Sequence, residues 1–178
     1  KSEFLDHRAL FDVSVYYIDW TDIQVWGGSG IINGAQATSR GGELTSSYSP
    51  LPGLTLGLNA AFTQCEFTEI LPPALTGYQL PQVPKWSMAS TADYDWAMSN
   101  VWHAHLGASY RWLGRQWGLI VQSHDGQPTI EMPSYSVVDL NAGITKDRLA
   151  IRVYARNLLD TRAALHRNLL PPDAPKQA

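Results

Sequence analysis

Few residues of this chain are spaced for chemistry. Cys65 is the only cysteine and stands beside Glu66 with no histidine near it, so it reads as an inert thiol. A nucleophile would need a base within reach. His103-x-His105 puts two imidazoles on one side of an extended segment, a geometry able to hold a metal. No third ligand accompanies them, and two histidines on a polar face is the simpler reading. Gly27, Gly28 and Gly30 mark a hairpin-type loop, because no helix follows them to cradle a phosphate. What remains is a scatter of charge at Arg111, Asp139, Arg152 and Arg156, and a loop group of Trp117, His124 and Asp125. Neither a nucleophile with its base nor a pair of facing carboxylates is apparent, so the sequence predicts no enzyme, no resident metal and no cofactor.

These side chains ride on segments that alternate. From Leu54 the even positions read Leu54, Leu56, Leu58, Ala60, Phe62, and the odd ones Thr55, Gly57, Asn59, Ala61, Thr63. From Trp102 the even set is Trp102, Ala104, Leu106, Ala108, Tyr110, Trp112, opposite His103, His105, Gly107, Ser109 and Arg111. Val138, Leu140, Ala142, Ile144 and then Leu149, Ile151, Val153, Ala155 continue the pattern, with Asp139 and Arg152 on the other side. Period two with one apolar side is the mark of strands, since a helix would mix the two sets. Weaker alternation covers Trp86–Trp96, Ala9–Trp26, Asn33–Tyr48 and a stub at Lys1–Leu5; the second of these loses phase near Asp19, which a bulge, or strand continuing above an apolar layer, would explain. The count is about eight strands. Short turns fall at Asp6-His7, Pro50–Gly53, Ala97–Asn100 and Lys146–Arg148, and long links at Gly27–Ile31, Ile70–Lys85 and Gly114–Pro133. Short and long connections alternate, so an antiparallel meander gathers its short turns at one rim and its long links at the other.

Composition bounds the setting. The 178 residues are 44% apolar and only 16% charged, with seven Trp and eight Tyr; soluble domains carry roughly 25% charge. A net charge of -3 excludes a basic nucleic-acid surface. No apolar run reaches the roughly 18 residues of a spanning helix, and mean hydropathy lies slightly below zero, which taken alone suggests a soluble chain. A soluble sandwich also has one apolar face per strand. Three features favour lipid. The clean segments match the roughly 9–11 residues that a tilted strand needs to cross a bilayer, aromatics collect at strand ends, and the second face is small and hydrogen-bonding, as a lumen requires. Averaging two unlike faces hides the apolar band from any hydropathy scan.

Four stretches carry a family resemblance. Val13–Val25 (VSVYYIDWTDIQV) looks like a strand of form xxFYxDYxDxQ. Asn33–Glu69 is similar to a segment with N-x-(G)-x-A-x-S-x-G-x-E-L followed by P-L-x-G-L-x-L. Gly77–Trp86 (GYQLPQVPKW) matches G-x-x-L-P-x-V-P, and Val153–Arg162 (VYARNLLDTR) resembles V-x-N-L-x-D-x-x. None is highly specific alone, but in this order they resemble the C-terminal part of the barrel of TonB-dependent outer-membrane receptors. These are bacterial importers of ferric siderophores, haem, cobalamin and some sugars.

The resemblance implies an all-β, antiparallel up-and-down transmembrane β-barrel, present in part: about eight of roughly 22 strands, as an open, curved sheet. Residues 1–165 would be barrel segment and 166–178 loop or tail, with the final strand, the plug domain and the TonB-contacting segment absent. Both ends look cut from something longer. It also implies residence in the bacterial outer membrane and three partners: lipid, TonB through the absent plug, and a ferric siderophore or similar small ligand. No nucleic acid is expected. His103, His105, Arg111, Asp139, Arg152 and Arg156 would face the lumen, where they could pair with the plug or meet an anionic ferric chelate. Trp117, His124 and Asp125 would sit in the longest external loop, meeting ligand or packing the loop. Two other architectures stay open on the sequence: a self-contained eight-stranded barrel with a structural or adhesive role, which must pair its first strand with its last, and a secreted sandwich module, which must bury Leu54, Leu56, Leu106, Leu140 and Ile151 against a second sheet.

Overall fold

Tight turns set the register of the whole sheet. Leu5, Asp6 and His7 all take positive φ, Gly53 turns at φ 82°, and Asp147 at φ 49°, so each short connection reverses the chain within a few residues. The computed structural model describes residues 2–26, 31–70, 79–118 and 131–164; His124, Asp125 and the 166–178 tail lie outside them. The elements are β1 (Ser2–Phe4), β2 (Ala9–Trp26), β3 (Ile31–Leu51), β4 (Leu54–Ile70), β5 (Trp86–Ala97), β6 (His103–Leu113), β7 (Gln116–Trp117), β8 (Glu131–Met132), β9 (Tyr135–Lys146) and β10 (Leu149–Ala155). Eight form one antiparallel sheet in the order β1-β2-β3-β4-β5-β6-β9-β10, and β7 pairs with β8.

Among the described residues β1 pairs only with β2 and β10 only with β9. The sheet is open, which removes the self-contained barrel. Among the described residues no second sheet covers the apolar face either: Leu56, Leu106, Leu140 and Ile151 are exposed and Leu54 is half-exposed, which removes the sandwich. Val15, on the same face, is 82% exposed. A chain this rich in outward aliphatic side chains needs an apolar surrounding.

Cross-strand register aligns the two faces. Val13, Leu44, Ala60, Met88 and Trp112 form one row of the apolar face. Toward the long-link end that face is edged by Tyr17, Phe62, Trp86 and Trp112, with the Phe62 and Trp86 rings 4.7 Å apart. Toward the short turns it is edged by Tyr48, Tyr94, Trp96 and Trp102, with Tyr94 stacked on Trp96 at 5.0 Å. Beyond the Phe62 level the same face turns polar: Arg40 donates to Gln64 at 3.2 and 3.1 Å, and Gln64 to Glu66 at 2.7 Å. On β4 the apolar band therefore runs from Leu54 to Phe62, the span one bilayer crossing requires.

Three features depart from the alternation. β2 has the expected bounds and β3 exceeds Asn33–Tyr48 by a few residues at each end, but β4 runs 17 residues, past the alternating Leu54–Thr63, because its ladder with β3 continues where Gln64 and Glu66 occupy the apolar side. The phase slip of β2 falls between Trp20 and Ile23, with Asp22 at φ 56°, slightly later than Asp19. The longest link contains the β7–β8 ladder, so it is not wholly loop. Well-buried side chains are few. Ala35, Ala37 and Phe67 cluster under Ile23 and Leu80 at the long-link end, where the Leu80 N–H donates to the Cys65 carbonyl at 2.9 Å.

Candidate functional site

Among the described residues two hollows lie on the polar face. The larger, about 480 Å³, lies between Glu43 of β3 and Arg111 of β6, over Ala61, Ser87 and Ala89, with Tyr135 at its border. Small side chains on the middle strands make the depression; the charges stand on its flanks.

The second, about 370 Å³, lies toward the short turns and is lined by Asp95, His103, His105, Asn141, Arg152 and Tyr154 among others. Register builds it: His105 sits opposite Asp95 on β5 and Gly143 on β9. Its Nδ1 is 2.9 Å from Asp95 Oδ1 and its Nε2 is 2.8 Å from Asn141 Oδ1, with Asp93 Oδ1 at 3.7 Å from Nε2. Gly107 makes the room, since a β-carbon there would collide with the Asn141 amide and lie 2.8 Å from Asp93 Oδ1. With both ring nitrogens turned to different partners, His105 and His103 do not converge on one point. Among the described residues no three His, Cys, Asp or Glu are arranged for a metal ion.

Arg111 and Asp139 are brought together directly, Nη2 to Oδ2 at 3.0 Å. Asp139 is further engaged: Ser109 Oγ donates to Oδ2 at 3.4 Å and the Asn157 N–H donates to Oδ1 at 2.8 Å. The Asn157 side chain in turn closes a ring on Thr161, donating to its carbonyl at 3.1 Å and accepting from its N–H at 2.9 Å. Asn157 and Asp160 both take positive φ, and the Leu158 N–H donates to the Val138 carbonyl at 2.8 Å. The N-L-L-D stretch is thus a shaped turn held to the β9 edge, and Asp139 is its anchor.

Arg152 faces the smaller hollow with no ion pair among the described residues, and Arg156 lies 5.1 Å over the Tyr154 ring. Trp117 stands apart from both hollows. Its carbonyl accepts from the Gln82 N–H at 2.7 Å, tying the β4–β5 link to the β6–β9 link, and Arg115 lies 6.0 Å over its ring.

Sequence reasoning passed over Asp93, Asp95 and Asn141 around His105, and Glu43 beside the larger hollow. A signal existed for Asp95: stepping back two residues at a time from the turn after Ala97 puts it opposite His105. It also passed over Ile18 and Trp20, exposed on the polar face of β2 near the long-link end.

A two-faced antiparallel wall with aromatic edges defines a segment of a membrane β-barrel. The family described as TonB dependent receptor-like, beta-barrel matches residues 1–158, and the chain belongs to it. Among solved structures it is similar to the ferric yersiniabactin uptake receptor FyuA from Yersinia pestis, with 20% identity and a TM-score of 0.78 over 93% of this chain and 24% of that one. The ferric preacinetobactin receptor BauA from Acinetobacter baumannii gives 16% identity and a TM-score of 0.71 over 87% of this chain and 24% of that one. FpvA from Pseudomonas aeruginosa PAO1, bound to pyoverdine, gives 17% identity and a TM-score of 0.71 over 92% of this chain and 25% of that one. The chain spans about a quarter of the length of these receptors. No curated protein matches it.

Proposed function

We propose that residues 1–165 form a wall segment of an outer-membrane active transporter that binds a ferric siderophore from outside and admits it with energy from TonB. The observation that carries the reading is the two-faced wall in a member of this family: an apolar face bounded by two aromatic rows, backed by a polar face with two hollows. The ferric chelates named for FyuA and BauA support an iron chelate as ligand class. Arg152 and Arg156 are the charge, and His103 and His105 the polar side chains beside it, that this wall offers to an anionic chelate or to a plug. Arg111 and Asp139 brace the wall instead, and Trp117, with His124 and Asp125, belongs to the external loop. The chemistry is binding and gated permeation.

The test is uptake of radiolabelled iron from a panel of ferric siderophores by iron-starved cells expressing the complete receptor, with and without functional TonB. Uptake of at least one chelate that stops when TonB is removed is the expected result. Uptake that continues without TonB, or no chelate taken up by a receptor shown to reach the outer membrane, overturns the reading.

A further inference from the structure

The apolar face is not uniform. Toward the short turns a groove of about 420 Å³ crosses β5, β6, β9 and β10. Ala104, 5% exposed, and Ala142 form its floor, with Trp96 and Met98 on one flank and Ile151 and Val153 on the other. The register explains the depression. Ala104 pairs with Trp96 and Ile144, and Ala142 with Leu106 and Val153, so the two alanines lie diagonally adjacent among bulky neighbours. Its volume falls within the roughly 300–1,000 Å³ of small-molecule sites, yet its side chains offer an aqueous solute almost nothing polar to bind. One row nearer the turns, Lys146 Nζ stands 5.4 Å from the centroid of the Trp102 ring. Arg148, two residues on, is exposed and makes no ion pair among the described residues; Asp147 between them occupies the left-handed turn position. A cation held on an aromatic ring at the edge of an apolar band belongs at headgroup depth.

We infer that this groove is a binding site for an anionic phospholipid of the leaflet at the short-turn end. One acyl chain lies over Ala104 and Ala142, and the headgroup phosphate sits on Lys146 and Arg148. The occupant follows from two properties meeting in one place: an almost wholly apolar groove, and two cations beside a single carboxylate at its open end. A zwitterionic lipid would fill the groove and offer the same phosphate, but its headgroup cation would stand against Lys146 and Arg148. The inference rests on the lipid-facing reading of this face.

The complete receptor, purified in neutral detergent and stripped of lipid, is titrated with phosphatidylglycerol and with phosphatidylcholine of the same chains, and retained lipid is read by native mass spectrometry. Preferential retention of phosphatidylglycerol is expected. Lys146→Gln with Arg148→Gln lowers it roughly thirtyfold, as two cations near an anionic headgroup imply, and lowers phosphatidylcholine retention less, so that the preference is lost. Ala142→Trp, which fills the groove, lowers both. Equal retention of the two lipids, or a preference that survives the double charge variant, overturns the site. Membrane fractionation separates this from the broader reading: a receptor in the outer membrane without selectivity refutes only the groove, whereas one absent from membranes refutes the lipid-facing wall itself.

Discussion

Gly41 lies beneath Tyr16. A β-carbon at Gly41 would press on the Phe62 carbonyl and sit 2.7 Å from the Tyr16 hydroxyl, which is bonded to Thr63 Oγ1 at 2.9 Å. The S-R-G-G-E-L stretch therefore keeps a glycine because an aromatic ring on the next strand covers its backbone. Gly41→Ala is expected to destabilise the complete receptor by about 1–3 kcal/mol, the usual range for forcing atoms into a closely packed place, measured as a lower urea midpoint on refolding in detergent. Asp139 makes a second residue-scale expectation. Asp139→Ala releases the Asn157 N–H and loosens the turn, so that trypsin cuts faster after the already exposed Arg162, whereas Asp139→Asn changes cleavage less, because the amide oxygen still accepts that bond. Equal cleavage in both variants would show that the charge on Arg111, not the bond to Asn157, orders the segment.

At the scale of elements, alternation made β4, β6, β9 and β10 legible, because each keeps one side apolar for its whole bilayer crossing. It found the short turns as well, from Gly53 and the Lys146–Arg148 reversal. It could not find the upper part of β4 beyond Thr63, where Gln64 and Glu66 take over the otherwise apolar side, nor β7 and β8, whose two-residue strands are too short to show a period. The His105 contacts were hidden for another reason: they join three strands, and only the full register brings Asp95 and Asn141 to one ring. The two faces make opposite predictions for neighbouring residues of β4. Leu58→Arg, near the middle of the apolar band, should cost about 2–4 kcal/mol and reduce the amount of receptor recovered in the outer membrane. Asn59→Arg, on the polar face, should lose only its bond from Thr45 and leave that amount nearly unchanged. Equal losses would contradict the assignment of the faces.

The described residues form a sheet with two free edges, one at β1 and the length of β2 beyond Phe11 and the other at β10, and have little buried interior. Unpaired edges this apolar invite aggregation, so the 178-residue chain expressed alone should refold poorly in detergent and give no heat-shifted band on gels, while the complete receptor gives one. A sharp heat-shifted band from the isolated chain would contradict this. The uneven strand lengths have a separate consequence. At about 3.4 Å per residue the 21 residues of β3 reach some 70 Å, nearly twice the extent of the 11 residues of β6. Among the described strands the rim therefore stands higher at β3 than at β6, and its high side carries Ile18 and Trp20 exposed on the polar face. On the import reading proposed above, a solute striking that side would move over a surface rather than search a volume.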